Sequence, residues 1–138
     1  MKVLRNVKFD QSGRIAIHAN NRLVMIDICR ILYCKADGNY SHIHLTDGNS
    51  FTTSYNLRFV SQKLIEFGFF TIDKSVVVNL QLIQSITQER QAKLTLTDCT
   101  ELKIARNRKK ELMDLLFCAI IPVNTVFVTF CTTLSTIE

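Results

Sequence analysis

Glycine occurs four times and proline once in 138 residues, which excludes a collagen-like chain or a low-complexity linker. The five cysteines, Cys29, Cys34, Cys99, Cys118 and Cys131, form no C-x-x-C pair and are odd in number. A secreted disulfide scaffold uses an even and denser set. They read instead as reduced thiols, packed as small apolar side chains in a cytoplasmic protein. No secretory signal is expected, because Lys2, Arg5, Lys8 and Asp10 interrupt any apolar stretch at the start. Enzyme signatures are missing too: there is no G-x-S-x-G, no phosphate-cradling glycine loop, no H-E-x-x-H and no paired-carboxylate motif. The chain is expected not to be an enzyme and to carry no cofactor.

What is present points to a folded domain. Hydrophobic residues are 47% and charged residues 21% of the chain, a balance that excludes disorder as the default. Seventeen Lys and Arg against twelve Asp and Glu give a formal charge of +5. That excess favours an anionic partner, nucleic acid or a membrane surface, without deciding between them. Residues 74–110 hold eight basic and three acidic residues, while residues 117–138 hold only Glu138.

The dominant period is two. Residues 14–18, 23–27, 30–35, 40–46, 82–87, 93–97 and 102–104 read as short strands rich in β-branched residues. Asp37-Gly38-Asn39 and Asp47-Gly48-Asn49 tolerate positive φ and join their flanking strands as hairpins. Asp98-Cys99 stands where a third such turn falls, with Cys in place of Gly, and a looser turn is expected there. Two segments carry helical stripes. Residues 55–67 align Leu57, Val60, Leu64 and Phe67, with Ser54 as N-cap and Gly68 just past the end. Residues 107–117 align Leu112, Leu115 and Leu116, with Asn107 as N-cap. The spacing predicts a mostly β domain with two short helices.

Arg106-Asn-Arg-Lys-Lys110 opens the second helix. A helix N-terminus carries partial positive charge, so clustered cations there repel the dipole and one another. A bound anion such as a nucleic-acid phosphate would reconcile them, and a solvated basic patch is the equal alternative. His42 and His44 share one face of a strand. With His18 they make a metal site only in principle, since no Cys or carboxylate completes a ligand spacing, and no metal is expected. Hydrogen bonding at an exposed sheet end fits these histidines better. Tyr40 suits a core or a surface position equally. Lys74-Ser-Val-Val-Val-Asn79 reads as a buried strand with Lys74 and Ser75 at its exposed mouth, and Asn79 as a turn former bonding to backbone.

Taken in order, these segments resemble a LytTR-type DNA-binding domain. The resemblance rests on Ile31-Leu-Tyr-Cys-Lys-Ala-Asp-Gly-Asn-Tyr40, Ile43-His-Leu-Thr-Asp-Gly48, Tyr55-Asn-Leu57, Leu64 and Phe70. It continues through Lys74-Ser75, Val78-Asn79, Ile83, Leu94-Thr-Leu96, Leu102, Ile104 and Ala105-Arg106, and spans residues 14–116. It implies elongated antiparallel β-sheets with short helices, and a bacterial transcription regulator of the response-regulator output class. Such domains put loops into successive major grooves of double-stranded DNA, at paired direct repeats in promoters, an arrangement open to a homodimer on DNA. By resemblance, Asn39, Lys74 and Arg106 carry the main contacts. Tyr40, His42, Ser75, Asn107, Arg108 and Lys109 complete the expected DNA-facing set. Asn suits adenine and Arg suits guanine bidentately, while Lys acts as a point charge on phosphate. Thr71 and Asp73 depart from the Arg and His common in the family, and Ala105 replaces a usual Ser.

The organisation expected is an N-terminal extension over 1–13, the DNA-binding domain over 14–116, and an uncharged apolar, Thr-rich tail over 117–138. The extension is too short for a receiver domain, so a stand-alone regulator or isolated output domain is expected. Residues 115–137 match the length of a bilayer span, yet Pro122, Asn124, Ser135 and five Thr dilute them. An extra strand, a packed tail or a self-association surface is the preferred reading. The alternative function is a membrane-tethered or self-associating module with weakened DNA binding.

Overall fold

Ten strands and two helices follow one another in the computed structural model, which describes residues 11–118. The strands are β1 (Arg14–Ala19), β2 (Arg22–Asp27), β3 (Ile31–Asp37), β4 (Tyr40–Leu45), β5 (Ser50–Thr53), β6 (Phe69–Asp73), β7 (Val76–Asn79), β8 (Ile83–Thr87), β9 (Lys93–Leu96) and β10 (Glu101–Lys103). The helices are α1 (Leu57–Leu64) and α2 (Arg106–Cys118). Every strand pair is antiparallel. A central sheet has the order β5-β4-β3-β7-β6, flanked by the pair β1-β2 and the three-stranded sheet β10-β9-β8. The mostly β class with two helices expected from period-two patterning is observed, and so are the antiparallel sheets that the resemblance implies.

The central sheet packs against a core on each face, the second core covering β7, β6 and part of β3 while Lys35 and Thr52 stay exposed. One face sends Cys34, Ile43, Phe69 and Val77 against Ile17 and Ile26 of the β1-β2 pair and Leu57, Val60 and Leu64 of α1. The other sends Leu32, Phe70, Ile72, Val76 and Val78 against Leu94 and Leu96 of β9 and Leu112 and Leu115 of α2. Both stripes read from the sequence therefore face a core. Each fully buried aliphatic side chain contributes about 1.5–3 kcal/mol. Val76-Val77-Val78 alternates between the two cores, which is why that strand has no polar face. Phe69-Phe70 does the same in β6. The sequence pattern marks no element there, because two adjacent apolar residues fit neither period. The hairpin expected at Asp47-Gly48-Asn49 is completed by β5, although its Ser50-Phe-Thr-Thr run carries one apolar residue.

Several boundaries differ from expectation. Asn56, not Ser54, caps α1: its side chain accepts the Phe59 N–H at 2.9 Å. Residues 54–55 are held outside the helix, since the Tyr55 N–H donates to Thr53 Oγ1 and the Tyr55 carbonyl accepts Ser41 Oγ. Helix α1 ends at Leu64, and Phe67 lies in a following 3₁₀ turn closed by Gly68 at φ +86°. Asn107 is not a cap either. The Ala105 carbonyl accepts the N–H groups of Arg108 and Lys109, which starts α2 one residue earlier. The Cys99 turn is not loose. Its N–H donates to Leu96 O at 2.8 Å and Thr100 O accepts the Leu96 N–H, matching the Leu45, Gly48 and Asn49 bonds of the companion turn. Cys99 reaches that shape at φ +73°. It is exposed, so packing as a small apolar side chain holds for buried Cys34 and not for Cys99.

Asn79 bonds to backbone as expected, accepting from Gln81 N–H and donating to Ile31 O. It is also fully buried and exchanges two bonds with Gln11. No described helix is long and apolar enough to cross a membrane. Residues 1–10 and 119–138 lie outside the described region, and with them nearly all of the expected tail.

Candidate nucleic-acid interface

Three connections meet at one end of the central sheet. β3 runs toward the turn Gly38-Asn39, and β7 lies beside it with Lys35 opposite Val76. The Ala36 N–H donates to Ser75 O at 2.9 Å, so the β6-β7 turn carrying Lys74 sits alongside the β3-β4 turn carrying Asn39. The next strand out is β6, and the Ala105 N–H donates to Ile72 O at 2.8 Å near its end. That bond delivers the start of α2 to the same edge. Asn39, Lys74 and Arg106 are all exposed. A shallow cleft of ≈ 460 Å³ between the β6-β7 turn and α2 is lined by Thr71, Asp73, Lys74, Ala105, Asn107 and Arg108.

The flanking residues divide into free and tethered groups. Tyr40 is 55% exposed, which resolves its two alternatives in favour of the surface. His42 is held on both ring nitrogens, by Thr52 Oγ1 at 2.8 Å and Asp37 Oδ2 at 2.9 Å. His44 stacks on Tyr33 at 4.4 Å between ring centroids, and His18 meets Tyr55 edge-on. Burial, then the neighbouring His42 and Lys35, hold the His44 imidazole below its ordinary pKa. The three histidines thus serve separate contacts, and no three His, Cys, Asp or Glu residues group as metal ligands among the described residues. Ser75 donates its hydroxyl to Asp73 Oδ2 at 2.9 Å. The Asp73 carboxylate is therefore occupied in shaping the Lys74 turn.

Arg108 is the least free member of the basic cluster. Its Nε donates to Thr71 O at 2.8 Å, its Nη1 lies 2.7 Å from Glu111 Oε2, and its guanidinium sits 4.6 Å from the Phe70 ring centroid. It fastens α2 to β6. No local sequence signal marks this role, since Thr71 and Phe70 lie more than thirty residues away. Arg106, Lys109 and Lys110 have no ion-pair partner among the described residues. With Arg108 they put only cations and Asn107 in the first turn of α2. That turn favours anions twice over, by side-chain charge and by its unpaired N–H groups.

The opposite end of the sheet is arranged differently. Arg30 pairs with Asp47 at 2.6 Å, beside the β4-β5 turn, and Arg14 pairs with Asp27 at 3.1 Å. The Asn49 N–H holds the Asp47 carboxyl below the usual range, with Arg30 adding to the effect.

A family model described as the LytTr DNA-binding domain matches residues 21–117. Among solved structures, the chain is similar to a LytTr DNA-binding domain of a putative methyl-accepting/DNA response regulator from Bacillus cereus, at 14% identity and a TM-score of 0.66. That match covers 75% of this chain and 96% of the other, and at such identity it speaks for the fold alone. No curated protein matches significantly.

Proposed function

The chain belongs to the LytTR DNA-binding domain family, and on that premise we propose that it binds double-stranded DNA, sequence-specifically, through the loop end of its central sheet. The observation that carries this reading is the gathering of Asn39, Lys74 and Arg106 at one exposed end, whereas Arg14 and Arg30 toward the opposite end are each paired with a carboxylate. In this reading Asn39 meets a base edge from the β3-β4 turn, where an amide pairs bidentately with adenine. Arg106 reaches guanine or phosphate from the start of α2, and Lys74 sets a point charge on the backbone between them. Tyr40, Asn107 and Lys109 add contacts beside them. Arg108, His42 and Ser75 hold the presenting elements in place. The loops enter successive major grooves, direct repeats bring two copies together on one duplex, and the regulator works in a bacterial cytoplasm.

DNA binding is preferred to a membrane-tethered or self-associating module. That alternative draws on the tail, which lies outside the described residues, on Ala105, and on Asp73, whose carboxylate is engaged by Ser75. The test uses a duplex recovered by site selection from a random pool. Arg106→Ala is expected to abolish the gel shift on that duplex while the circular-dichroism spectrum stays unchanged. Undiminished affinity in the folded variant overturns the assignment.

A further inference from the structure

The row of exposed turns extends past Asn39. In the central sheet, β4 and β5 lie on the side of β3 away from β7. Tyr55 follows β5, and its carbonyl accepts Ser41 Oγ at 2.8 Å, two residues from Asn39. Against Tyr55 lies His18, ring centroids 5.9 Å apart, next to the last residue of β1. The β1-β2 turn therefore belongs to the loop end, on the side opposite Arg106. Its two residues, Asn20 and Asn21, are exposed at φ +51° and +61°. A two-residue hairpin of type I′ prefers Asn at these positions, so the backbone shape needs no ligand to explain it.

The charges beside the turn are a separate observation. Arg22 follows this turn, and Arg58 stands in the first turn of α1, which begins two residues after Tyr55. Both are exposed, and neither has an ion-pair partner among the described residues. Within the same hairpin, Arg14 at the other end is paired with Asp27. The β1-β2 pair thus carries a neutralised cation away from the loop end and a bare one at it. Two amides and two guanidiniums with free donors match phosphate oxygens of a nucleic-acid backbone.

We propose that Asn20, Asn21, Arg22 and Arg58 form a further DNA-backbone contact, continuing the row of turns beyond Asn39. This rests on the DNA-binding reading above. Layers of sheet pack ~10 Å apart, so the added turn lengthens the protein's reach by roughly that distance. At 3.4 Å per base pair, that is about three more base pairs on the Asn39 side.

The test is fluorescence anisotropy of the full chain with a labelled random-sequence duplex across a salt series. The double variant R22A/R58A is expected to bind several-fold more weakly, with a log-log salt slope shallower by about 2, because each lost phosphate contact removes ~0.9 from the slope. R14A removes one charge from a paired site and is expected to keep the parent's slope. If R22A/R58A does not fold, Arg22→Gln and Arg58→Gln singly are expected to lower the slope by about 1 each. Parent-like affinity and slope in these variants, or a change no larger than in R14A, overturns the proposal. If R106A loses affinity while R22A/R58A does not, the extended contact fails and the DNA reading stands. A parent chain with no salt-sensitive affinity overturns both.

Discussion

Cys99 holds a backbone shape that glycine provides in the companion turn at Gly48, at φ +73° against +89°. The bonding around the two is the same, down to Asp47 and Asp98 each accepting the N–H two residues on. A β-carbon in the left-handed region costs roughly 1–2 kcal/mol, partly offset by glycine's greater freedom when unfolded. Cys99→Gly is therefore expected to stabilise the domain by about 0.5–1 kcal/mol in urea denaturation, and Gly48→Ala to destabilise it by about 1 kcal/mol. Equal stability of Cys99→Gly and the parent would show that Cys99 carries no strain. His44 gives a pH dependence. Its pKa in the folded chain is depressed by burial, so the unfolded chain binds the proton more readily. The stability it contributes is full above the ordinary imidazole value, about 6.5, and is lost as pH falls below it. His44→Phe keeps the stack on Tyr33 and removes the titration. The fall in the urea midpoint between neutral and mildly acid pH is expected to be smaller in that variant. An unchanged fall would locate the dependence elsewhere.

Among elements, α2 depends on Arg108 for its seat on β6. Removing that side chain loses a charge-assisted bond to Thr71 O, an ion pair with Glu111 and the cover over Phe70. Arg108→Ala is expected to cost about 2 kcal/mol. Arg106→Ala, two residues away and exposed, is expected to cost less than 0.5 kcal/mol. Equal costs in thermal or urea melts would remove the distinction between a fastening and a contacting arginine. The difference between these neighbours was not legible in the sequence, because it depends on which one the helix turns toward Thr71. What was legible followed from local chemistry. Asp-Gly-Asn at 37–39 and 47–49 set two hairpins, and the spacing of Leu57, Val60 and Leu64 set the buried stripe of α1. Helix starts differ from the sequence pattern where tertiary bonds decide them, as with the Tyr55 carbonyl held by Ser41. Strand β6 shows no alternation in sequence, since both of its faces are buried. The basic opening of α2 stood out in sequence, whereas its position beside Lys74 rests on the Ala105 to Ile72 bond across the fold.

At the scale of the whole molecule, the arginines that are paired and the cations that are bare stand at different ends. Arg14 and Arg30 are matched by carboxylates at one end, and Asn39, Lys74 and Arg106 stand bare at the other. Exposed ion pairs of this kind add little stability, about 0–1 kcal/mol. They leave the unpaired Lys74 and Arg106 as the cations that the loop end offers to a phosphate backbone. Duplex affinity is accordingly expected to fall linearly in log-log form as salt rises, by counterion release. The most direct measurement is the backbone amide spectrum of the isotope-labelled chain, titrated with a random-sequence duplex and then with a site-selected one. Shifts are expected at Asn39, Lys74, Ser75 and Arg106 to Lys109, and none at the Asp47-Asn49 turn of the opposite end. Shifts centred on that opposite turn, or a spectrum unmoved by saturating duplex, would contradict DNA binding by the loop end.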